Sequence, residues 1–514
     1  MMNRKSDTER NMNSRPQEET LSTPARAREE TIDRRTVFTA FAGALGATAI
    51  SGSVRGAAEP VDIGASSSWA DTMADLRALL APTAATIVHL LGYHTPSDGG
   101  GGVFRWDAVS TLPDDGGLTI IPNGSPTQGR WRRVTSGPVN IRWFGASSGA
   151  TSSQNSASIQ KAIDSLPGSG GAVLFPAGAY RVADAVRVVR NNVFLIGEGM
   201  DATTLIGDLA LYAVVRFGNL ATDERPINCS IEQMSIDRQE GAIPVGAMGI
   251  LWEHFNLGYE RFTRVNRHYY GRKITGPYPS ASFAYSLYEP QSSNMTRAHM
   301  CIGSVAGVKV FGGVFGRNGG EAFDCAGVIE IGEVANDLTF VGCTFIPQGP
   351  ATTSGNKPGV ILINGMTNPT GVYYFFDCNT ENTSVGFTSA ATTPYINDIQ
   401  VVGGRWAMEM AMFNFNPNTK VGAMKLTGVS ISAPVGLLNS LWLIISGCLI
   451  TGASAFFGAS ETDMTITGNR FLGSVLLQGD FRGLMFTGNV HNGLTNATSV
   501  NSNVLVTNNL QSSI

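Results

Sequence analysis

The sequence predicts an all-β protein that winds as a right-handed parallel β-helix, and three observations support this fold. Glycine supplies 61 of 514 residues, about 12% against a usual ~7%, which favours many tight turns over long helices. Units of one strand and one turn recur along the second half of the chain. Within these units apolar and polar residues alternate, as on a strand with one buried face. Such units are stable only when stacked on their neighbours, so the pattern indicates a solenoid.

The repeat is clearest at the turn that ends one strand of each unit. The turn residues are Gly312, Gly342, Asp377, Gly403, Gly428, Gly447, Gly468, Gly488 and Asn508, with successive spacings of 30, 35, 26, 25, 19, 21, 20 and 20. The two inward positions before each turn are apolar or aromatic, among them Phe340, Phe375 and Leu426. Leucine-rich repeats and propellers fit less well, because the units show neither the helices of the former nor the four-strand blades of the latter. The pattern therefore predicts parallel strands stacked ~4.8 Å apart from coil to coil.

The first 58 residues have the character of an export signal, and the predicted fold begins after them. Arg34 and Arg35 precede an uncharged run at 36–50 that is too short to span a bilayer, and small residues follow at 56–58. This order is typical of a twin-arginine signal. We therefore expect a protein that works in the periplasm or outside the cell, without stable membrane insertion. The alternative is a disordered tail followed by a short buried helix.

The net charge and the cysteine content of the chain exclude some classes of function. The chain has 36 basic and 40 acidic residues, for a net charge of −4, and this excludes a basic nucleic-acid binder. The six cysteines form no CxxC pair, so the sequence indicates no zinc site, and we predict no metal and no cofactor. Cys343 and Cys378 share one column in adjacent coils. A stack of buried thiols is the favoured interpretation, with a disulfide as the alternative.

A small β-rich domain is predicted at 69–140, ahead of a β-helix over 141–514. Residues 69–80 have apolar positions at helical spacing, and the runs GYHTPSDGGGGVFRW and GRWRRV indicate short strands between glycine-rich turns. Another short helix near Ser158, then a glycine turn and a strand, begin the β-helix.

These motifs resemble a known superfamily. The run 91–133, followed by WFGA, is similar to the small β domain that precedes the β-helix in phage tailspikes and related bacterial proteins. The segment 158–182 resembles the opening of pectate-lyase-like right-handed β-helices, whose relatives include family-28 glycoside hydrolases. The resemblance implies a helix that caps the N-terminal end of the solenoid, a polysaccharide substrate and a homotrimer. The loop before this helix, ASSGATSSQNSA, lacks the acids usual in the family, and Asn155 or Ser156 is the expected cap.

Aromatic and basic residues are concentrated in one irregular stretch of the predicted solenoid. Residues 251–290 contain ten aromatics in forty positions, interspersed with arginine and lysine. Such a surface suits stacking on sugar rings and pairing with acidic groups. The candidate substrate-binding residues are Trp252, Arg264, Arg267, Tyr269, Arg272 and Lys273. The alternative is that these side chains fill the space beneath a loop or a subunit interface.

Three carboxylates of one long coil, Glu321, Asp324 and Glu330, are the candidate catalytic groups. Glu330 falls on an outward strand position between Cys301 and Leu362 of the neighbouring coils. Partial burial there is expected to raise the pKa of its carboxyl toward general-acid use. Two carboxylates ~5 to 9 Å apart serve glycoside hydrolysis, in which one protonates the leaving oxygen and the other activates water or attacks.

The predicted function is a secreted enzyme that cleaves glycosidic bonds of a polysaccharide, with hydrolysis favoured over β-elimination from a uronate. Elimination needs a base and a cation beside the sugar carboxylate, and the candidates are His254, His268, Tyr269, Tyr270, Arg272 and Lys273. The sequence shows neither the paired-Asp motif of polygalacturonases nor the calcium-binding Asp cluster of pectate lyases. The alternative is a non-catalytic glycan-binding or adhesin-like solenoid. A phage structural spike fits the small domain but not the export signal.

Overall fold

The computed structural model describes residues 67–511 except for 83–84, 125–126, 278–281, 317–326, 333–334, 347–358, 365–369, 438–439, 459–460 and 499–502. Within this part the chain forms a small five-stranded sheet followed by a right-handed parallel β-helix, which confirms the predicted fold class. The two belong to one compact unit. The predicted signal region lies outside the described residues.

The small domain is a mixed sheet with one helix. Its elements are β1 (Ser67–Ala70), α1 (Met73–Ala78), β2 (Ile87–Leu90), β3 (Gly102–Asp107), β4 (Thr119–Ile120) and β5 (Arg130–Arg133). The strand order is β1-β2-β3-β5-β4, with β1 parallel to β2 and the other pairs antiparallel. Phe104, Trp106 and Trp131 point from the sheet into a core shared with α1.

Helix α1 is shorter than the helix predicted over 69–80. Thr72 caps it, because its hydroxyl accepts a hydrogen bond from the Asp75 backbone while the Asp75 carboxylate accepts from the Thr72 N–H. The residues before this capping box pair with β2 as a parallel strand. The helical spacing of the apolar residues therefore holds only from Met73 onward.

The β-helix is built from short strands that follow one another around the solenoid. The first are β6 (Val139–Asn140), β7 (Gly171–Phe175), β8 (Gly178–Val182), β9 (Val186–Val188), β10 (Val193–Gly197), β11 (Thr203–Gly207), β12 (Ala213–Phe217), β13 (Ile227–Arg238), β14 (Met248–Glu253), β15 (Asn256–Asn266) and β16 (Tyr270–Thr275). The middle strands are β17 (Ser282–Tyr288), β18 (Gln291–Ser293), β19 (Ala298–Ile302), β20 (Val305–Phe311), β21 (Val314–Gly316), β22 (Gly327–Gly332), β23 (Ala335–Val341), β24 (Thr344–Ile346), β25 (Gly359–Asn364), β26 (Thr370–Phe376), β27 (Asn379–Ser389), β28 (Tyr395–Val402) and β29 (Arg405–Asn414). The last are β30 (Lys420–Thr427), β31 (Ser430–Ile431), β32 (Gly436–Leu437), β33 (Ser440–Ser446), β34 (Leu449–Ile450), β35 (Ser454–Gly458), β36 (Asp463–Thr467), β37 (Arg470–Phe471), β38 (Val475–Gly479), β39 (Gly483–Thr487), β40 (Val490–His491), β41 (Leu494–Thr498), β42 (Val504–Thr507) and β43 (Leu510–Gln511).

Each regular coil contributes one strand to each of three parallel sheets. In one coil these are β20 in sheet 1, β21 in sheet 2 and β22 in sheet 3, which pair in register with β23, β24 and β25 of the next coil. β13 and β15 bend from sheet 1 into sheet 2, and β27 and β29 bend from sheet 2 into sheet 3. The inward residues Phe340, Phe375 and Leu426 are fully buried in one continuous core, as the alternation predicts.

Helix α2 (Ser152–Asp164) packs on the first coil of the solenoid. Its buried side chains join the solenoid core through Ile159, Ala162 and Ile163. The cap is Thr151, in a capping box with Gln154, and not Asn155 or Ser156 as expected. Those two residues lie within the helix, because its first turn begins earlier than the apolar pattern shows. A 3₁₀ turn at Ile141–Phe144 precedes the helix.

The predicted turn column is a column of left-handed residues between sheets 1 and 2. From Gly312 to Asn508, all nine positions have φ between 49° and 67°. Only glycine adopts this conformation without strain, and asparagine and aspartate tolerate it better than other residues. The column explains why aspartate and asparagine, at Asp377 and Asn508, are the exceptions to glycine.

Gly428→Ala is expected to lower the free energy of unfolding by about 1 to 2 kcal/mol, whereas Gly428→Asn costs less. A Cβ at this position meets no atom within 4 Å, so the effect isolates the backbone conformation, whose φ is 63°. Denaturant unfolding measures both variants, with Lys425→Ala on the neighbouring strand as the control. Equal losses for alanine and asparagine would contradict the left-handed requirement.

The residues that follow the turns form a second column, most of which is buried. Cys343 and Cys378 occupy it as free thiols, which confirms the interpretation as stacked thiols. In later coils Asn469 and Asn489 form an amide ladder, in which the Asn489 Oδ1 accepts from the backbone N of Asn469 at 2.9 Å and from its Nδ2 at 3.0 Å. The ladder satisfies polar groups that the coil corner buries.

Candidate functional site

The outer surface of sheet 3 carries the candidate site. One outward position forms a column in which Lys273, Cys301, Glu330 and Leu362 follow one another from coil to coil. This register confirms the predicted neighbours of Glu330. In β22 the flanking residues Ile329 and Ile331 are buried, so alternation directs Glu330 outward.

Glu330 is held by three side chains from neighbouring coils. The Arg297 guanidinium donates from Nε to Oε2 at 2.8 Å and from a terminal nitrogen to Oε1 at 3.0 Å. The Asn364 amide donates to Oε1 at 3.0 Å, and the Tyr270 hydroxyl donates to Oε2 at 3.4 Å. Only 5% of the residue is exposed. Such a bidentate, charge-assisted contact fixes both the position and the ionisation of the carboxylate.

The prediction that the pKa of the Glu330 carboxyl is raised is wrong, because the contacts of this cluster lower it. Burial acts to raise the pKa of its carboxyl, but the hydrogen bonds from Arg297 and Asn364 and the charge of Arg297 outweigh it, so the pKa lies below its ordinary value. The hydrogen bond with Glu330 raises the pKa of Arg297, and burial raises the pKa of Tyr270. Near neutral pH the cluster therefore contains an ionised glutamate, a charged arginine and a neutral tyrosine.

Two predicted substrate-binding residues belong to the interior of the solenoid. Trp252 is fully buried and stacks on Phe217 with ring centroids 3.7 Å apart. Arg272 is also fully buried and forms an ion pair with Glu260, with Nε 2.8 Å from Oε2. This corrects the expectation for Trp252 and Arg272, because a side chain without exposed surface makes no contact with an external glycan. His268 is likewise fully buried, so it is no candidate base.

The remaining binding candidates divide between two faces. Arg264, on β15, and Arg267, directly after it, lie in the region of sheet 2, where they pair with Asp201 and Asp237 respectively. Tyr269 and Lys273 lie on the side of sheet 3. The Tyr269 ring packs edge-on against the ring of Tyr270, and Lys273 is one of the half-buried residues in the column that contains Glu330.

Two of the candidate catalytic carboxylates fall outside the described residues. Glu321 and Asp324 belong to the segment 317–326, which connects β21 in sheet 2 to β22 in sheet 3. Of the three candidates, Glu330 is therefore the one whose surroundings the structure describes. The second long connection of this region, 347–358, enters the next strand of sheet 3 and is also outside the described part.

Arg297 and Asn364 belong to the candidate site, and sequence reasoning missed both of them. Arg297 is 33 residues before Glu330 and lies in the turn that leads into β19. Aligning the repeated strands in the sequence identifies the residues stacked directly on Glu330 in the neighbouring coils. It does not identify residues that contact Glu330 from a turn or from the end of a strand. The sequence feature that could have indicated Arg297 is its position just before the strand that contains Cys301.

Neither a metal site nor a membrane span is evident in the part of the chain that the structure describes. No cluster of three or more histidine, cysteine, aspartate or glutamate side chains there has the arrangement of a metal centre. Among the same residues, no helix combines the length and apolar character needed to cross a membrane.

Comparison with known proteins finds similar proteins for the small domain and for the β-helix. Residues 70–136 match the family described as the phage tail protein small four-stranded β-sheet domain. β2 to β5 lie within the matched range, and β1 is an additional parallel strand at its edge.

The whole structure is similar to solved phage tailspikes. Tailspike gp49 of Acinetobacter baumannii bacteriophage Fri1, a capsular polysaccharide depolymerase, matches with a TM-score of 0.57 and 14% identity over 86% of this chain and 76% of that chain. The gp42 tailspike of Acinetobacter phage vb_AbaP_AS12 matches with a TM-score of 0.54 and 14% identity, over 86% and 75%. Tailspike protein 2 of Escherichia coli O157:H7 bacteriophage CAB120 matches with a TM-score of 0.51 and 14% identity, over 77% and 54%. The molecule is a tailspike-like parallel β-helix. Its N-terminal sheet is of the phage-tail type.

Proposed function

We propose that this protein is a polysaccharide depolymerase that hydrolyses glycosidic bonds on the outer face of sheet 3. The observation that carries the proposal is the nearly buried carboxylate of Glu330, which accepts hydrogen bonds from Arg297 and Asn364. It lies on the coil that also contains Glu321 and Asp324. The similarity in fold to a tailspike that depolymerises capsular polysaccharide supports the substrate class.

Glu330 is proposed as the ionised member of the catalytic pair. Hydrolysis of a glycoside needs one carboxylic acid that protonates the leaving oxygen and one carboxylate that activates water or attacks the sugar. The lowered pKa of Glu330 suits the second role. Glu321 or Asp324, in the connection that enters the same strand, is proposed as the acid. Lys273 and Tyr269 are proposed to bind the polysaccharide beside the pair.

A screen of capsular and plant polysaccharides with chromatographic analysis of the products tests this function. New reducing ends without unsaturated products are the expected result. Absorbance from an unsaturated uronate would replace hydrolysis by β-elimination. Binding without any product would contradict catalysis altogether.

A non-catalytic glycan-binding solenoid is the second candidate. The observation that favours it is that Glu253 and Glu330, both on the side of sheet 3, each pair with an arginine. A carboxylate whose charge is already neutralised can be purely structural. The product analysis above separates this candidate from the enzyme, because a binder retains glycans on an array and releases nothing.

We propose that the protein assembles as a homotrimer through the outer surface of sheet 1. Outward apolar residues recur along this surface, from Tyr288 and Phe376 to Trp442, Ile444 and Leu505. Trp442 is 56% exposed and Leu505 is 51% exposed, so both offer apolar surface that a partner copy can bury. Each copy presents the same outer surface, so copies can cover these apolar side chains for one another.

Trp442→Lys with Ile444→Lys is expected to convert the trimer to monomers, because it places two charges in the proposed interface. Sedimentation equilibrium measures this change against a chain mass of 54.4 kDa. Val245→Lys, at an exposed position outside sheet 1, is the control and keeps the trimer mass. A wild-type mass equal to one chain would contradict the proposal.

Export by the twin-arginine route is proposed from Arg34 and Arg35 ahead of an uncharged run. Replacement of both arginines by lysine is expected to leave the protein in the cytoplasm. Cell fractionation tests this expectation, and normal export of the double variant would contradict it.

A further inference from the structure

The outer face of the small N-terminal sheet carries an aromatic side chain in an unusual setting. Trp69, on the edge strand β1, is 65% exposed, and its ring stacks on the imidazole of His89 with centroids 4.8 Å apart and planes at 29°. The two residues are in register on β1 and β2. Stacking on His89 holds the indole against the sheet and leaves much of it open to solvent, as in surfaces that bind sugar rings.

Two arginines lie directly opposite each other on the same face. Arg105 on β3 and Arg132 on β5 are partners in the antiparallel register. Within the described residues neither guanidinium forms an ion pair or a side-chain hydrogen bond, and the carboxylate of Asp107, two residues further along β3, pairs with neither of them. Like charges directly opposite destabilise a sheet, so this arrangement favours an anion that binds both guanidinium groups.

The other two arginines of β5, Arg130 and Arg133, are held by contacts within the domain. Arg133 is buried and donates to the carbonyls of Gly101 and Gly117, and its guanidinium lies 4.5 Å from the centre of the Phe104 ring. Arg130 is also buried and donates to the carbonyl of Leu112. These two side chains hold the domain together, whereas Arg105 and Arg132 make no comparable contacts with the part of the chain that the structure describes.

We propose that this face is a second glycan-binding site, selective for an acidic sugar residue. Trp69 on β1 and Arg105 on β3 are separated by one strand, which is roughly 10 Å across the sheet. When one sugar ring of a glycan stacks on Trp69, the next sugar ring therefore lies over Ile87. A carboxylate on that second sugar is within reach of Arg105 and Arg132. This inference takes only the class of ligand, a polysaccharide, from the proposed function. The site itself is independent of Glu330, because it lies on a different domain.

The test uses an array of uronate-containing and neutral bacterial capsular oligosaccharides, probed with the full chain carrying Glu330→Gln so that the glycans stay intact. Retention of uronate-containing glycans over neutral ones is the expected result. Adding Trp69→Ala, or Arg105→Gln with Arg132→Gln, is expected to weaken this retention at least tenfold. Val109→Ala, at an 80% exposed position in the same domain, is the control and leaves retention unchanged.

Stability provides a readout that distinguishes binding from a structural role. Arg105→Gln is expected to maintain or raise the thermal midpoint, because it removes the repulsion from Arg132, while it lowers retention of acidic glycans. Retention unchanged by Trp69→Ala would overturn the proposal, as would absence of acidic-glycan binding in the Glu330→Gln chain. A fall in sedimentation mass with either variant would instead make the face an interface between copies and would also overturn it.

Failure of the proposed hydrolase is recognised separately. Its signature is the absence of cleaved products from the wild-type chain, whatever the array shows. Binding that survives Glu330→Gln but is lost with Trp69→Ala supports the second site even where no product is released.

Discussion

Arg272→Met is expected to lower the free energy of unfolding by about 3 to 5 kcal/mol, because it leaves the charge of Glu260 unpaired in the core. The Glu260 carboxylate accepts from Arg272 at 2.8 Å, from the Thr263 hydroxyl at 2.7 Å and from the Trp252 indole at 3.1 Å. The Tyr285 hydroxyl also donates to it. All these side chains are fully buried, so no water replaces the lost guanidinium.

The double variant Arg272→Met with Glu260→Leu is expected to recover most of this loss, since neither charge then remains in the core. Unfolding in urea measures the single and double variants. Arg267→Met is the control, because its pair with Asp237 is partly exposed and contributes less than about 1 kcal/mol. A double variant as unstable as the single one would show that packing, not the unpaired charge, explains the loss.

Glu330→Gln is expected to reduce turnover of the polysaccharide by about a hundredfold or more, the usual contribution of an acid or base group in the transition state. The variant keeps the size of the side chain but removes the negative charge that Arg297 and Asn364 hold in place. Initial rates of reducing-end release measure the effect. Glu253→Gln is the matched control, because it also removes a carboxylate that pairs with an arginine in sheet 3, and it is expected to retain turnover within a few fold.

The pH dependence separates a catalytic from a structural role for Glu330. Its pKa is below the ordinary value, so the acid limb of the rate profile is expected below the pH at which an unperturbed glutamate is protonated. Arg297→Gln removes the cation and leaves burial, which raises the pKa, so the acid limb moves to higher pH. Equal losses in Glu330→Gln and Glu253→Gln, or an unmoved acid limb in Arg297→Gln, would contradict the catalytic assignment.

The regular part of the fold follows directly from local patterns. Alternation places Phe340 and Phe375 inside because strand neighbours point to opposite faces. The turn column, from Gly428 to Asn508, follows from the limited set of residues that adopt positive φ. Both properties depend on a few adjacent residues, so they are visible in the sequence before any long-range contact is known.

The site depends on contacts that no local pattern contains. Alternation gives Glu330 its outward direction, but its ionisation is set by Arg297, which reaches it from a turn of the preceding coil. The composition of the segment 251–290 predicts a surface position for Trp252 and Arg272, yet both belong to a buried network around Glu260.

The sequence by itself determined the solenoid, its register and its turn column, because repeated short-range preferences specify how each coil bends. Only the tertiary structure decided which charged side chains face solvent and which are paired inside. The reason is physical: the free energy of a charge depends on the partner and the solvent it meets in three dimensions, and stacked coils bring together residues that lie tens of positions apart.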